Sequence, residues 1–153
     1  MTHKSKKNKN FEALGASLER KANNRTERKV AEEKPLMLFS FKDFQYNAQI
    51  PPGQSYEQWQ QESLLAYMLE KFGYICGVNR IEAEQQKFLK VYGGFPLHSE
   101  FSNPFPDREL VWAVIMNLGG QKRRVVGHLI GHVFYVVFLD AEHRFYPSSK
   151  KNT

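Results

Sequence analysis

RRVVGHLIGHVFYVVFLDAEHRFY, residues 123–146, decides how this chain folds. It is written almost wholly in strand-forming residues, yet it carries three arginines, three histidines and two tyrosines. If Gly131-His132 is a two-residue turn with glycine at its first central position, Ile130 faces Val133, His128 faces Tyr135, and Arg123 faces Asp140. The loop GGQK at 119–122 then sets Leu118 opposite Arg123 and Val114 opposite Gly127. A tight turn at Ala141-Glu142 pairs Asp140 with His143, Leu139 with Arg144, and Val137 with Tyr146. Assigned separately, the three turns keep the same faces together, which matters because a one-residue slip would exchange the faces. The expectation is four antiparallel strands, at 111–118, 123–130, 132–139 and 144–146.

One face of that sheet collects Trp112, Val114, Met116, Leu118, Val125, Gly127, Leu129, Phe134, Val136, Phe138 and Phe145, an apolar surface that needs helices to cover it. Gly127 in its middle offers room for a close helix. The other face collects Asn117, Arg124, His128, Tyr135, Arg144 and Tyr146. Arginine can hold phosphate oxygens by paired hydrogen bonds, tyrosine can stack on unpaired bases, and histidine can move protons near neutral pH. Such a face suits RNA, and it has the groups to cut RNA if an acid, a base and a positive clamp surround one phosphodiester. His128, Arg124 and Tyr135 are the candidate catalytic residues; Lys122, Arg123, Arg144 and Tyr146 are the candidate nucleic-acid contacts. The bland reading stands beside this one: arginines keep a sheet face soluble, tyrosines favour strands, and His132 and His143 are ordinary turn residues. Asp140 and His143 read as a local turn hydrogen bond.

Upstream, Lys34-Pro35 marks a boundary. Residues 1–34 hold ten Lys and Arg against five Glu, with Phe11, Leu14 and Leu18 at helical spacing. They read as a flexible basic extension with a transient helix near 11–22. From residue 35 to 153 one domain is expected, opening with a buried strand at LMLFSF, residues 36–41. Ser55 with Gln58 is a capping-box pattern, followed by apolar residues at helical spacing to Phe72, so a helix is expected over 56–72. Asn79 with Glu82 repeats the pattern for a second helix carrying Ile81, Gln85, Phe88, Leu89 and Tyr92, ended by Gly93-Gly94. The two should form a hairpin. Residues 95–110, with three prolines among aromatics, should cross the surface as an irregular loop packed by Phe95, Phe101 and Phe105. The fold class is therefore α+β, a two-helix hairpin on one face of a mainly antiparallel sheet of four to five strands.

Charge is uneven along the chain: residues 35–110 carry six basic and nine acidic side chains, and residues 111–153 carry six against two, within a net +6. Basic ends suit a polyanionic partner. No segment approaches the ~18 apolar residues of a membrane span, and the start lacks the apolar stretch of a secretory signal. A soluble cytoplasmic protein with no membrane partner is expected. One cysteine, Cys76, forms no internal disulfide, and His128, His132 and His143 lack a ligand spacing. Gly119-Gly120 reads as a hairpin tip and not as a phosphate loop. No metal and no cofactor is expected.

The order strand, two-helix hairpin, antiparallel strands resembles the RelE/ParE toxin superfamily from about Leu36 to Tyr146, and RRVVGHLIGHVFYVVFLD looks like that family's central hairpin. The resemblance implies an RNA-cleaving toxin neutralised by an antitoxin, or a gyrase poison of the ParE branch. On the RNA-cleaving side it implies that Arg124, Tyr135, Arg144 and Tyr146 occupy site positions. The 34-residue extension, the proline-bearing loop and the terminal strand are additional to that pattern. The competing expectation is a non-enzymatic interaction module. Its partner, an antitoxin or another protein, would be received on the first strand or on an exposed patch of Val111, Ile115, Ile130, Val133 and Val137. Nothing in the pattern sets an oligomeric state.

Overall fold

A computed structural model describes residues 34–147; the expected basic extension and its helix near 11–22 lie outside the described residues, Lys34 apart. Among the described residues from Leu36 onward the fold is α+β, with three helices and a five-stranded mixed sheet. In chain order the elements are β1 (Leu38–Ser40), α1 (Tyr56–Gln61), α2 (Leu64–Ile75), α3 (Arg80–Gln85), β2 (Leu89–Gly93), β3 (Val111–Ile115), β4 (Arg124–Ile130) and β5 (Val133–Asp140). The strands lie in the order β1-β5-β4-β3-β2. β1 runs parallel to β5, and the other neighbours are antiparallel.

The capping box at Ser55 forms as its spacing requires: the Ser55 hydroxyl accepts from Gln58 N–H at 3.1 Å, and the Gln58 side chain accepts from Ser55 N–H at 2.7 Å. The single helix expected over 56–72 is instead two. Glu62 closes α1 and Ser63 takes a left-handed conformation with φ 60°. In an unbroken helix Trp59 and Leu64 would stand about 140° apart, yet both are buried in the core. The break lets both enter it.

The second expected helix is also shorter. Asn79 caps it by accepting from Glu82 N–H at 2.9 Å, but the helix ends at Gln85 and Lys87 turns left-handed. Leu89 to Gly93 then form a strand on β3. Leu89 and Tyr92 fit a helical stripe, but Leu89 and Val91 also alternate, and the β-branched and aromatic residues here win a pleated partner.

Turn geometry gave the β4/β5 register correctly at its closed end, where Ile130 pairs with Val133 and His128 with Tyr135 across Gly131 at φ 60°. Farther along, the register shifts by one: Gly127 pairs with Val136 and Val126 with Phe138, so that Val137 is extra and Asp140 faces Arg124 instead of Arg123. β3 slips as well, with Ala113 opposite Gly127 where Val114 was expected. Each shift exchanges faces beyond it. Ala113, Ile115, Val125, Leu129, Phe134, Val136 and Leu139 pack on the helical side with Trp59, Leu64, Met68 and Phe72. Trp112, Val114, Val126, Val137 and Phe138 turn to the opposite side.

That opposite side is the main correction to the sequence reading. It is no open polar face but a second core, closed by buried Phe101 and Phe145 with Phe95, Phe105 and Tyr92 packed around them. The irregular loop after β2 supplies most of this cover. The segment 144–146 is not a strand; Asp140 holds it instead, its carboxylate accepting from Arg144 N–H at 2.9 Å and Phe145 N–H at 2.8 Å. Gly127 is needed for a different reason from the one expected. Any Cβ there would run into the carbonyl oxygen of Tyr135 and come within 2.6 Å of the Phe134 ring, so it is β5, not a helix, that approaches.

Candidate functional site

Polar residues on the loop-covered side fall into two clusters. The first surrounds His128, in the middle of β4. Its side chain is 0% exposed, and its ring stacks on Tyr135 at 4.8 Å and 1°. The rings of Trp112 and Phe105 stand edge-on at 6.0 and 6.3 Å. Nε2 lies 2.8 Å from Oδ2 of Asp43, which also meets Arg108 Nη1 at 3.5 Å. Burial pulls the His128 pKa below its ordinary value, against the opposing hydrogen bond and charge of Asp43; the Arg108 charge lowers it further. A neutral ring beside that carboxyl donates its proton from Nε2, which leaves buried Nδ1 without a partner. The cluster pins the segment after β1 and the loop before β3 onto the sheet. In this conformation no substrate reaches the imidazole, the expected catalytic centre.

The second cluster lines an open cavity of about 670 Å³ at the start of β4, where Lys122, Arg124, Glu142 and His143 converge with Asn117 and Glu100. Arg124 opens β4 and His143 sits in the turn after β5, so the β4/β5 pairing brings them together across Asp140. Arg124 is half buried, and desolvation pulls its pKa down while Tyr92 and Asp140 hold it up. Its Nη1 donates to the Arg123 carbonyl at 3.2 Å, and its buried Nε has no partner.

Burial first, then the charges of Arg124, Lys90 and Lys122, keep the His143 pKa below the ordinary histidine value, with Asp140 opposing. It is therefore a neutral imidazole at pH 7, able to accept a proton, among three cations. Tyr92 stacks on Tyr146 at 4.8 Å and 4° beside this cluster, and Lys90 Nζ lies 5.3 Å from the centre of the Tyr92 ring.

Two further cavities adjoin the first through shared lining residues. One, of about 420 Å³, meets it at Pro147 and is lined by Gly94, Phe95, Pro96, Leu97, His98 and Tyr146. The other, of about 480 Å³, meets it at Gln121, Lys122 and Glu142 and continues to Gly119, Gly120 and Arg123. The central cavity thus shares part of its lining with each of the other two.

Of the expected residues, Lys122 and Arg124 share the central cavity, while Tyr146 and Arg123 line the cavities on either side. Arg123 also donates to the Gly119 carbonyl at 2.7 Å. Arg144 contributes backbone, its N–H going to Asp140 and its carbonyl accepting from Glu100. His128 and Tyr135 stand apart, four β4 positions from Arg124 in the case of His128, or about 13 Å along a strand.

Sequence reasoning passed over His143 and Tyr92. His143 looked like an ordinary turn residue, and its spacing from Asp140 was the available signal. Tyr92 was set on a helix; the alternation of Leu89, Val91 and Gly93 was the clue to a strand. Asp43, in an irregular segment, offered no local signal.

Among the described residues, no three His, Cys, Asp or Glu side chains gather as a metal site would require, and no helix is long and apolar enough to cross a membrane. Compared with known proteins, the chain matches no family model, no curated protein and no solved structure.

Proposed function

We propose that this protein binds RNA across these adjoining cavities, with the RNA backbone held at the central one. The observation that carries this reading is the convergence of Arg124, Lys122 and His143 on one open cavity, with the charge of Lys90 close by and a stacked tyrosine pair beside it. Phosphate oxygens would satisfy the guanidinium of Arg124, which has few partners within the protein, and release counterions as they bind. The same cavity has a group suited to cutting RNA: neutral His143 can take the proton of a ribose 2′-hydroxyl as its oxygen attacks the neighbouring phosphorus, the P–O5′ bond breaks to leave a 2′,3′-cyclic phosphate, the departing 5′-oxygen takes a proton from water, and the cations offset the charge that develops. In its cleaving form the protein would be a growth-arresting toxin, in keeping with the RelE/ParE resemblance.

Fluorescence anisotropy with labelled RNA tests the binding. Affinity should fall steeply between about 50 and 200 mM salt, and Arg124→Ala should weaken it about tenfold. Binding indifferent to both salt and Arg124 would remove the cavity from the function. For cleavage, His143→Ala should abolish product; an unchanged product ladder would leave a binding protein only.

A second reading has its own observation. β1 is the last strand of the sheet; Asn79 and Val78 meet its outer edge at Leu36 and Met37, and Leu38, next along it, is 51% exposed. A protein partner adding a strand there is the interaction-module alternative. Its originally expected patch is corrected, since Ile115 and Val137 are fully buried. Leu38→Lys abolishing co-purification of a stoichiometric partner, with RNA affinity intact, would support it.

A further inference from the structure

The cavity on the Tyr146 side differs in character from its neighbours. The central and Arg123-side cavities contain lysine, arginine and glutamate, whereas among the described residues this one has none, and His98 is the only nitrogen-bearing side chain of those residues that lines it. Its floor is Tyr146, half exposed and held flat by stacking on Tyr92. Its wall is the segment Phe95 to His98, where Leu97 is 97% exposed, an apolar side chain left almost wholly in water.

That wall is anchored before any ligand arrives. Phe95 packs edge-on against Trp112 at 4.9 Å and Phe145 at 5.2 Å, and the Glu100 N–H donates to the Arg144 carbonyl at 3.0 Å. A preformed apolar cavity with an aromatic floor, inside the size range of small-ligand sites at about 300–1,000 Å³, thus adjoins a charged one that holds Lys122 and Arg124 as well as Glu100 and Glu142.

Resting on the RNA reading above, we infer that this cavity is a nucleobase subsite and that the substrate is therefore single-stranded RNA. One base lies on Tyr146 against Leu97 while an adjoining phosphate sits at Arg124. The cavity's flat aromatic surface with little charge suits the face of a base and not its phosphate. A base can reach it only when splayed away from its neighbours, which a duplex forbids without unpairing. The wall comes from the proline-bearing loop after β2, so the preference for unpaired RNA is built by that loop and not by the sheet.

The test compares three ligands of equal length by anisotropy: an unstructured RNA oligomer, the same sequence as a duplex, and an abasic ribose-phosphate oligomer. The single strand should bind about tenfold tighter than either of the others. Tyr146→Ala should bring the single strand down to the abasic level, and Tyr146→Phe should retain the preference. Leu97→Ser, at a position too exposed to affect folding, should lose part of it. If the wild-type protein binds single-stranded and abasic oligomers equally while Arg124→Ala still weakens both, the subsite is overturned and the RNA reading stands. If none of the three ligands binds, both fall.

Discussion

His128 and Arg124 lie on the same strand, on the same side of the sheet and four residues apart, yet one is sealed from solvent and the other faces an open cavity. The difference lies in what covers them. Over His128 the cover is made of large apolar rings, with Phe105 and Trp112 edge-on and Arg108 reaching in to Asp43. Over Arg124 the surroundings come from the loop at 116–123 and the turn at 141–143, where polar Asn117, Gln121, Lys122 and Glu142 border a gap. A polar residue on a sheet face becomes a structural pin or a ligand contact according to the loop above it, and strand periodicity alone does not distinguish the two. The sealed cluster should govern stability and the open one binding.

The largest expected effect tests the sheet that carries both. Gly127→Ala drives a methyl into the backbone of β5 at the register shift. Because the obstacle is backbone and cannot swing aside, the loss should reach or exceed the upper end of the about 1–3 kcal/mol usual for overpacking. Denaturant unfolding measures it. A loss well under 1 kcal/mol would mean that the strand pair yields, and that the shift fixing Arg124 opposite Asp140 is not rigid.

Next in size is Asp43→Ala. The variant leaves His128 Nε2 without its 2.8 Å partner when Nδ1 already has none, and it releases Arg108. An unsatisfied interior polar group costs about 1–3 kcal/mol, so the unfolding midpoint should drop while RNA affinity per folded molecule stays unchanged. Loss of RNA affinity with normal stability would break the comparison and return the His128 cluster to the binding site.

How much of this was legible follows from the range of each interaction. The caps at Ser55 and Asn79 are set by residues three apart, and both formed where the pattern put them. The pairing of Ile130 with Val133 depends on one glycine turn and was equally readable. The extra residue at Val137 was not, because Val136 and Val137 are identical in strand preference, and only the packing of Phe134 and Phe138 on opposite sides selects the shift. The slip of β3 was no more readable: the loop from Met116 to Arg123 is longer than the four-residue GGQK loop expected. The site moved with these shifts. Arg124, Lys122 and Tyr146 could be named as candidates because basic and aromatic residues near a hairpin end are visible in one dimension, whereas the surroundings of Asp43 and His143 come from segments far from them in the chain.

The smallest effect separates the two histidines by pH. Both have pKa values lowered in the folded protein from 6.5, chiefly by burial. As pH falls below about 6.5 the unfolded chain therefore takes up protons first, and the stability that is complete above that value is progressively lost until the folded-state pKa is passed. Asp140 acts in the opposite sense. Burial raises its pKa above 3.8, so it favours the fold at low pH and loses that contribution as pH rises beyond 3.8 towards its folded-state value. Unfolding midpoints across about pH 7 to 5 should thus slope less steeply in His128→Gln and in His143→Gln than in the wild-type protein. Salt then tells them apart. Burial leads at both, but the His143 shift also draws on the charges of Arg124, Lys90 and Lys122 around an open cavity, which added salt screens, whereas His128 is sealed and Arg108 is the one charge that lowers it, so salt changes it far less. Raising the salt should shrink the slope lost in His143→Gln and leave that lost in His128→Gln nearly as it was; equal responses would mean that the two environments are not as different as sealed and open imply.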